Sequence, residues 1–211
     1  MSKRLVAVLS AVLMIVSLSA CSLFGHSFSP ERTGIYIADD RSIQSAEITD
    51  FDNSKYSEPR YKEDELKAFI DDAVDTYNKQ KSSDGSEERV TVKELSVDET
   101  TAKLILEFMS AEDYLEFNGV SEAVPIKNLV VGSVQDGIDS GLEFADMLGS
   151  DGNPATADDI KKDADYTLVL FKGVTELQCE GKIVYYSASL QKSDDYTVIS
   201  TEETTSFVIF K

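Results

Sequence analysis

The 211-residue chain holds few side chains suited to nucleophilic, redox or transition-metal chemistry: one histidine, two cysteines and no tryptophan. A Ser-His-Asp or Cys-His centre needs an imidazole held by packing beside its nucleophile. His26 stands five residues after Cys21, in 22–30 (SLFGHSFSP), where neither a helical nor a strand period runs. It reads as a solvated linker residue, and triad catalysis is not expected. Two Cys and one His also fall short of an ordinary zinc site. Cys179 remains as a lone thiol. A two-residue turn at Glu180-Gly181 would set it opposite Lys182, whose charge would favour a thiolate; the competing reading is a small apolar residue at the end of a core face.

Carboxylates are abundant, 39 Asp+Glu against 20 Lys+Arg, so nearness of any two of them says little. Hydrolysis by an Asp/Glu pair would need two carboxylates converging in a Tyr-lined cleft with one pKa raised. A sugar platform would have to come from the 9 Tyr, since Trp is absent. The candidate calcium loop is 151–159 (DGNPATADD), with oxygen ligands at Asp151, Asn153, Asp158 and Asp159. It departs from the EF-hand pattern: Gly152 is second, Pro154 fourth, and no Glu closes it. Turn and helix-cap chemistry accounts for the same residues. Gly132-x₄-Gly137 lacks the Lys-Ser/Thr of a phosphate loop.

A formal charge of −19 excludes nucleic acid as a partner, because binding its phosphates depends on a basic face that releases counterions. It argues equally against a broad anionic-membrane surface.

Residues 1–4 carry Lys3 and Arg4, residues 5–18 are apolar apart from Ser10 and Ser17, and Leu18-Ser19-Ala20-Cys21 follows. This is the layout of a secretory signal; fourteen residues fall short of the roughly 20 that span a bilayer. The last four resemble the lipobox of bacterial lipoproteins. That resemblance implies cleavage between Ala20 and Cys21, a covalent diacylglycerol on Cys21 with no other cofactor, and an extracytoplasmic location on the cell membrane. Removing 1–20 takes two bases and no acid, leaving 191 residues at −21. With Cys21 lipidated, Cys179 has no internal partner, so a disulfide framework is excluded. The organisation expected is a signal peptide over 1–20, lipidated Cys and tether over 21–32, and one extracytoplasmic α+β domain over 33–211. A nine-residue tether reaches at most roughly 30 Å, and anionic headgroups should hold the acidic body off the bilayer.

The elements that must position any site are legible in part. Residues 33–38 and 43–51 predict a hairpin. Residues 62–80 place Leu66, Phe69, Ile70, Ala73, Val74 and Tyr77 on one stripe, predicting a long amphipathic helix with that stripe buried. A second hairpin is expected over 89–97 and 101–109, with a bulge between Val92 and Leu95. Ser110 and Gly119 bound a short helix, 126–134 predicts a strand, and 132–152 reads as loop with short helical pieces. Thr156 and Asp159 suit a capping box. Residues 166–171 read as a strand covered on both faces, 175–179 and 182–188 as a tight hairpin, and 196–200 and 206–210 as closing strands. Nine to ten strands and one long helix make an α+β fold: a largely antiparallel sheet with the helix packed on a face.

The opening hairpin, the helix bearing Tyr61, Glu65, Leu66, Ile70, Tyr77 and Asn78, and the late Gly181-Lys182-Ile183-Val184-Tyr185 strand are similar to a group of small uncharacterised lipoproteins of Gram-positive bacteria. This resemblance implies a location and no activity. The expectation is a membrane-anchored, non-enzymatic binding or accessory module for a peptide, protein or small ligand in the wall zone; the alternative is a wall-active hydrolase using Asp/Glu carboxylates.

Overall fold

The structure, a computed structural model, describes residues 25–51, 62–82, 87–98, 100–119 and 125–211. Among these residues thirteen strands form two sheets. The first contains β1 (Gly34–Ile37), β2 (Ile43–Asp50), β3 (Val90–Val97), β4 (Thr101–Phe108), β9 (Thr175–Cys179), β11 (Gln191–Lys192) and β12 (Thr197–Ser200), in the order β11-β12-β9-β1-β2-β4-β3. The second contains β5 (Ile126–Ser133), β6 (Met147–Gly149), β7 (Pro154–Ala155), β8 (Thr167–Gly173), β10 (Ile183–Ser187) and β13 (Thr205–Phe210), in the order β5-β8-β13-β10-β6-β7. Every pairing is antiparallel except β1 with β9.

The side-chain alternation of strands builds the core. Ile35, Ile37, Leu177, Cys179 and Val198 of the first sheet join Val169, Phe171, Val208 and Phe210 of the second in one buried cluster, so the two sheets face each other. The intervening residues Leu168 and Ile209 point the other way, into a second cluster with Val134, Phe144, Met147 and Ile160. The second sheet is thus covered on both faces, as the nearly continuous apolar run of β8 foretells. Its outer cover comes from 134–146 and 156–163, the stretches on either side of the edge strands β6 and β7. Within the first stretch Gly137 matters, since a Cβ there would lie 2.7 Å from Leu168 Cδ2.

The expectation of one sheet with one long amphipathic helix packed on a face is corrected. The described residues hold four helices: α1 (Glu63–Lys81), α2 (Ala111–Asn118), α3 (Val134–Asp139) and α4 (Ala157–Ile160), the last running into a 3₁₀ turn at Lys161–Asp163. The α1 stripe is fully buried only toward its C-terminal end, with Ile70 partly buried against the same cluster. Val74 and Tyr77 are buried, whereas Phe69 is 74% exposed. The reason is a local clamp: Asn78 Oδ1 accepts from the Arg89 and Val90 amides and its Nδ2 donates to Val90 O, each at 2.9 Å, which ties that end to β3. Tyr77 meets Phe117 edge-on, and Phe108 meets Tyr114 and Phe117 likewise, so α2 closes the same corner.

The tight hairpin over 175–188 is corrected too. β9 lies between β1 and β12, while β10 pairs with β13 and β6 in the other sheet. Glu180-Gly181 is a corner between sheets. Lys182 N donates to Lys211 O at 2.7 Å and Lys211 N returns to Lys182 O at 3.1 Å. A Cβ on Gly181 would sit 2.4 Å from the Lys211 carbonyl carbon and oxygen, so the glycine permits this approach rather than a turn type.

Candidate functional site

The expectations for Ala20, Cys21 and the signal fall on residues 1–24, outside the described residues. His26, by contrast, is a placed residue and not a solvated linker. Its amide donates to Glu180 O at 3.0 Å, its carbonyl accepts from the Tyr36 hydroxyl at 2.5 Å, and its ring stacks on Tyr196 at 4.6 Å. Phe28 stacks on Tyr36 at 5.5 Å, and Arg32 Nε lies 3.2 Å from Glu176. Residues 25–32 therefore form a strap over the outer face of the first sheet, a face that carries the polar side chains Tyr36, Glu176, Gln178 and Thr197. Aromatic contacts and hydrogen bonds seat it, in a segment too short for periodicity to reveal.

Cys179 is fully buried in the central cluster, and burial pushes its thiol well above the ordinary value. Lys182 belongs to the chain beyond the corner, so it does not face the thiol across a hairpin, and Cys179 acts as core.

Of the candidate ligands in 151–159, Asp151, Asn153 and Asp159 make local bonds, while Asp158 is exposed in the first turn of α4. Asp151 accepts from the Asn153 amide at 3.0 Å and its side-chain nitrogen at 2.8 Å. Thr156 and Asp159 form the expected capping box, and Lys162 Nζ donates to Asp159 at 2.8 Å. These bonds, Lys162 first, lower the Asp159 carboxyl to about 2. No group of three or more His, Cys, Asp or Glu converges as metal ligands among the described residues.

The pair that comes nearest to a catalytic dyad is Asp39 with Glu180, joined by Asp39 N donating to Glu180 Oε2 at 2.9 Å. Burial, then the Glu180 and Asp40 charges, raise the Asp39 carboxyl. Tyr36 beside them is held above its ordinary value by burial and the same charges, and its hydroxyl is occupied by the strap. Neither carboxylate opens into a hollow described below.

Three hollows stand out. The largest, about 600 Å³, is a trough beside β6, β10 and the start of β13. Met147, Leu148, Pro154 and Phe207 give it an apolar floor; Ser187, Ser189, Thr204 and Thr205 supply hydroxyls, and Asp146 is its single carboxylate. Ser187 Oγ accepts from the Phe207 amide at 2.7 Å and lies 3.7 Å from Met147 Sδ, which locks the floor. Asp146 stands at φ 52°, a left-handed conformation that Asp tolerates better than most residues, and its carbonyl accepts from Ala188 N at 2.8 Å. The reading of 132–152 as loop with helical pieces is right for α3 and misses β6. The signal that could have shown it is the apolar pair Met147-Leu148 before Gly149, with Pro154 suited to the sheet-edge strand β7.

The second hollow, about 290 Å³, lies between the strap and the first sheet, lined by His26, Ser29, Glu31, Arg32, Glu176, Gln178, Ser193, Asp194 and Thr197. The third, about 300 Å³, includes Arg89 and Glu107. Both are already paired, Arg89 with the buried Asp113 at 3.4 Å and Glu107 with Lys93 at 3.1 Å.

Comparison with known proteins found no matching family model, no matching curated protein and no matching solved structure.

Proposed function

We propose that the chain is an extracytoplasmic lipoprotein, held on the cell membrane by diacylglycerol on Cys21, whose body is a non-enzymatic binding or accessory module. The supporting observation is the trough. Its size is that of small-molecule and peptide sites, and an apolar floor rimmed by a few hydroxyls is the usual composition of such sites. One carboxylate without a second acid or base beside it suits binding better than hydrolysis. The proposed ligand is a peptide or small molecule of the wall zone with an apolar portion; nucleic acid is set aside on charge. The strap bears on the tether. With 25–32 seated on the body, four residues, 21–24, separate the anchor from it, at most roughly 14 Å, so the body would sit close to the bilayer.

Two measurements test this. Cys21→Ser should release the protein from membranes and abolish lipid labelling; retention without label would overturn the anchor. Thermal unfolding of the full chain in detergent, with muropeptides, peptides, oligosaccharides or Ca²⁺ at fixed ionic strength, should show a midpoint rise with one class. Saturation at 100 Kd adds about 2.7 kcal/mol. Phe207→Ser should remove that rise, and a flat panel would overturn the small-ligand reading. The second reading, carboxylate hydrolysis, is favoured by the raised Asp39 carboxyl beside Glu180; wall hydrolysis abolished by Asp39→Asn would establish it.

A further inference from the structure

We infer that the trough takes a short peptide with both termini free, its ammonium at Asp146 and its carboxylate toward Lys172. This ligand class rests on the trough being the binding site. Its apolar floor is longer than the trough itself. Sheet register lines up Val130, Leu170 and Phe207 across β5, β8 and β13, one row on from Leu168 and Ile209. The row of Leu168 and Ile209 lies under the apolar cover, whereas Val130 is 50% exposed and Leu170 belongs to neither buried cluster. A half-covered apolar row therefore leads along the edge of the cover to Phe207 and on to Met147 in the trough. Apolar side chains of a ligand gain by removing it from water.

The backbone beside that floor suits a peptide. β13 pairs with β8 from Thr205 onward but with β10 only from Val208, because β10 ends at Ser187. Phe207 N faces the β10 side and donates to the Ser187 hydroxyl in place of a strand carbonyl. By the two-residue period the N–H and C=O of Thr205 point to the same side, where the trough lies beyond the end of β10. An open strand edge is matched by peptide units, each with one donor and one acceptor.

The charges give the direction. Asp146 is the single carboxylate of the trough, and Lys172 pairs with Thr205 one strand beyond it. On the alternation of β8, Lys172 shares the outer face with Leu168 and Leu170. Neither charged side chain has a hydrogen-bond or ion-pair partner among the described residues. The Asp146 carbonyl accepts from Ala188 N, so the end of β10 and then β13 stand between Asp146 and Lys172. Three strand spacings are about 14 Å, and an extended tripeptide spans ~10 Å from amine to carboxylate, which leaves room for one ion pair at each end. At about 30 Å³ per water-sized atom, 600 Å³ admits roughly twenty heavy atoms, again the size of a tripeptide. The reverse orientation would set like charges together at both ends.

The test is calorimetric titration of the full chain in detergent with Ala-Leu-Ala, its N-acetylated form and its C-terminal amide. The free peptide is expected to bind saturably, and each capped form about threefold more weakly, the size of one exposed ion pair. Asp146→Asn should erase the discrimination against the acetylated form and keep that against the amide; Lys172→Gln should do the reverse. A residue acting through packing alone would not separate the two. Asn tolerates the Asp146 backbone at φ 52° and Lys172 is exposed, so both variants should keep the unfolding midpoint. Capped peptides that bind as tightly as the free one, or discrimination that neither variant moves, would overturn the inference; loss of that binding in Phe207→Ser would then still hold the ligand in the trough. No binding of any of the three up to tens of millimolar would overturn it as well, and the wider ligand panel would judge the trough separately.

Discussion

Each sheet has an outer face that something must cover, and the two covers are built from opposite materials. Over the second sheet, 134–146 and 156–163 seal with Val134, Phe144 and Ile160 against Leu168, Ile209 and Met147 of the sheet, a dry apolar contact. Over the first, the strap 25–32 seals with stacked rings, an ion pair and hydrogen bonds to its backbone, and leaves a polar hollow lined by Glu31, Glu176 and Asp194. Apolar seals gain from every area removed from water and fail as a unit with the fold. Polar seals exchange protein bonds for water bonds at little net gain, about 1 kcal/mol each. The first cover is part of the core; the second is a surface that can be loosened or tightened locally, and it is the one that leads back toward Cys21.

The sharpest way to break this contrast is to cut into the apolar cover. Ile160→Ala, at a fully buried position, should cost about 2–5 kcal/mol of global stability by denaturant unfolding, with no change confined to the strap. A loss under about 1 kcal/mol would place the cover outside the cooperative unit. Next comes the corner that joins the sheets. Gly181→Ala should destabilise by about 1–3 kcal/mol, because the added Cβ displaces Lys211 backbone rather than a mobile side chain. Tyr36→Phe tests the polar cover. Losing its bond to His26 O should cost about 1 kcal/mol, and the readout is faster exchange of strap amides with the rest unchanged. Uniformly faster exchange would show that the strap is core after all.

The smallest effect is electrostatic and differs in sign between the two covers. Asp39, beside the strap, has its folded pKa raised, so the native state holds its proton to higher pH than the unfolded chain does. Its contribution to stability consequently falls as pH rises through that window, from about 4 upward. Asp159, which caps α4 in the apolar cover, has a folded pKa lowered to about 2. Its contribution is complete above about pH 4 and is lost as pH falls toward 2. Asp39→Asn should therefore remove the first slope and raise the neutral-pH midpoint by no more than about 2 °C, as expected for a partly solvated charge. A lowered midpoint would mean that the carboxylate is paired rather than repelled.

Legibility from sequence followed the range of the interaction. The hairpins β1–β2 and β3–β4, the bulge between Val92 and Glu94, the cap at Ser110 and the capping box at Thr156 are near-neighbour chemistry and stand where the residues place them. The candidate sites were less legible. His26 lies in no periodic segment, yet stacking on Tyr196 places it. β6 is three residues long, too short for a period to show, so only the apolar pair Met147-Leu148 hints at the trough floor it supplies. Phe69 fits the α1 stripe by spacing alone and stays exposed, whereas its neighbour Ile70 packs on the core and the end clamped by Asn78 is buried.

The amino-acid order by itself determined most strand segments, the starts of α1, α2 and α4, the acidic charge and the shortage of nucleophiles, because period, cap chemistry and charge are properties of residues a few positions apart. The tertiary structure alone decided that β9 leaves its sequence neighbour β10 to lie parallel to β1, that two sheets stack instead of one, and that the strap closes over Gln178. Strands of like alternation can pair in many ways with equal local merit. The choice between them is made by how much apolar surface the whole chain removes from water, and here that balance is struck between residues such as Ile35 and Leu177, far apart in sequence and opposite each other in the sheet.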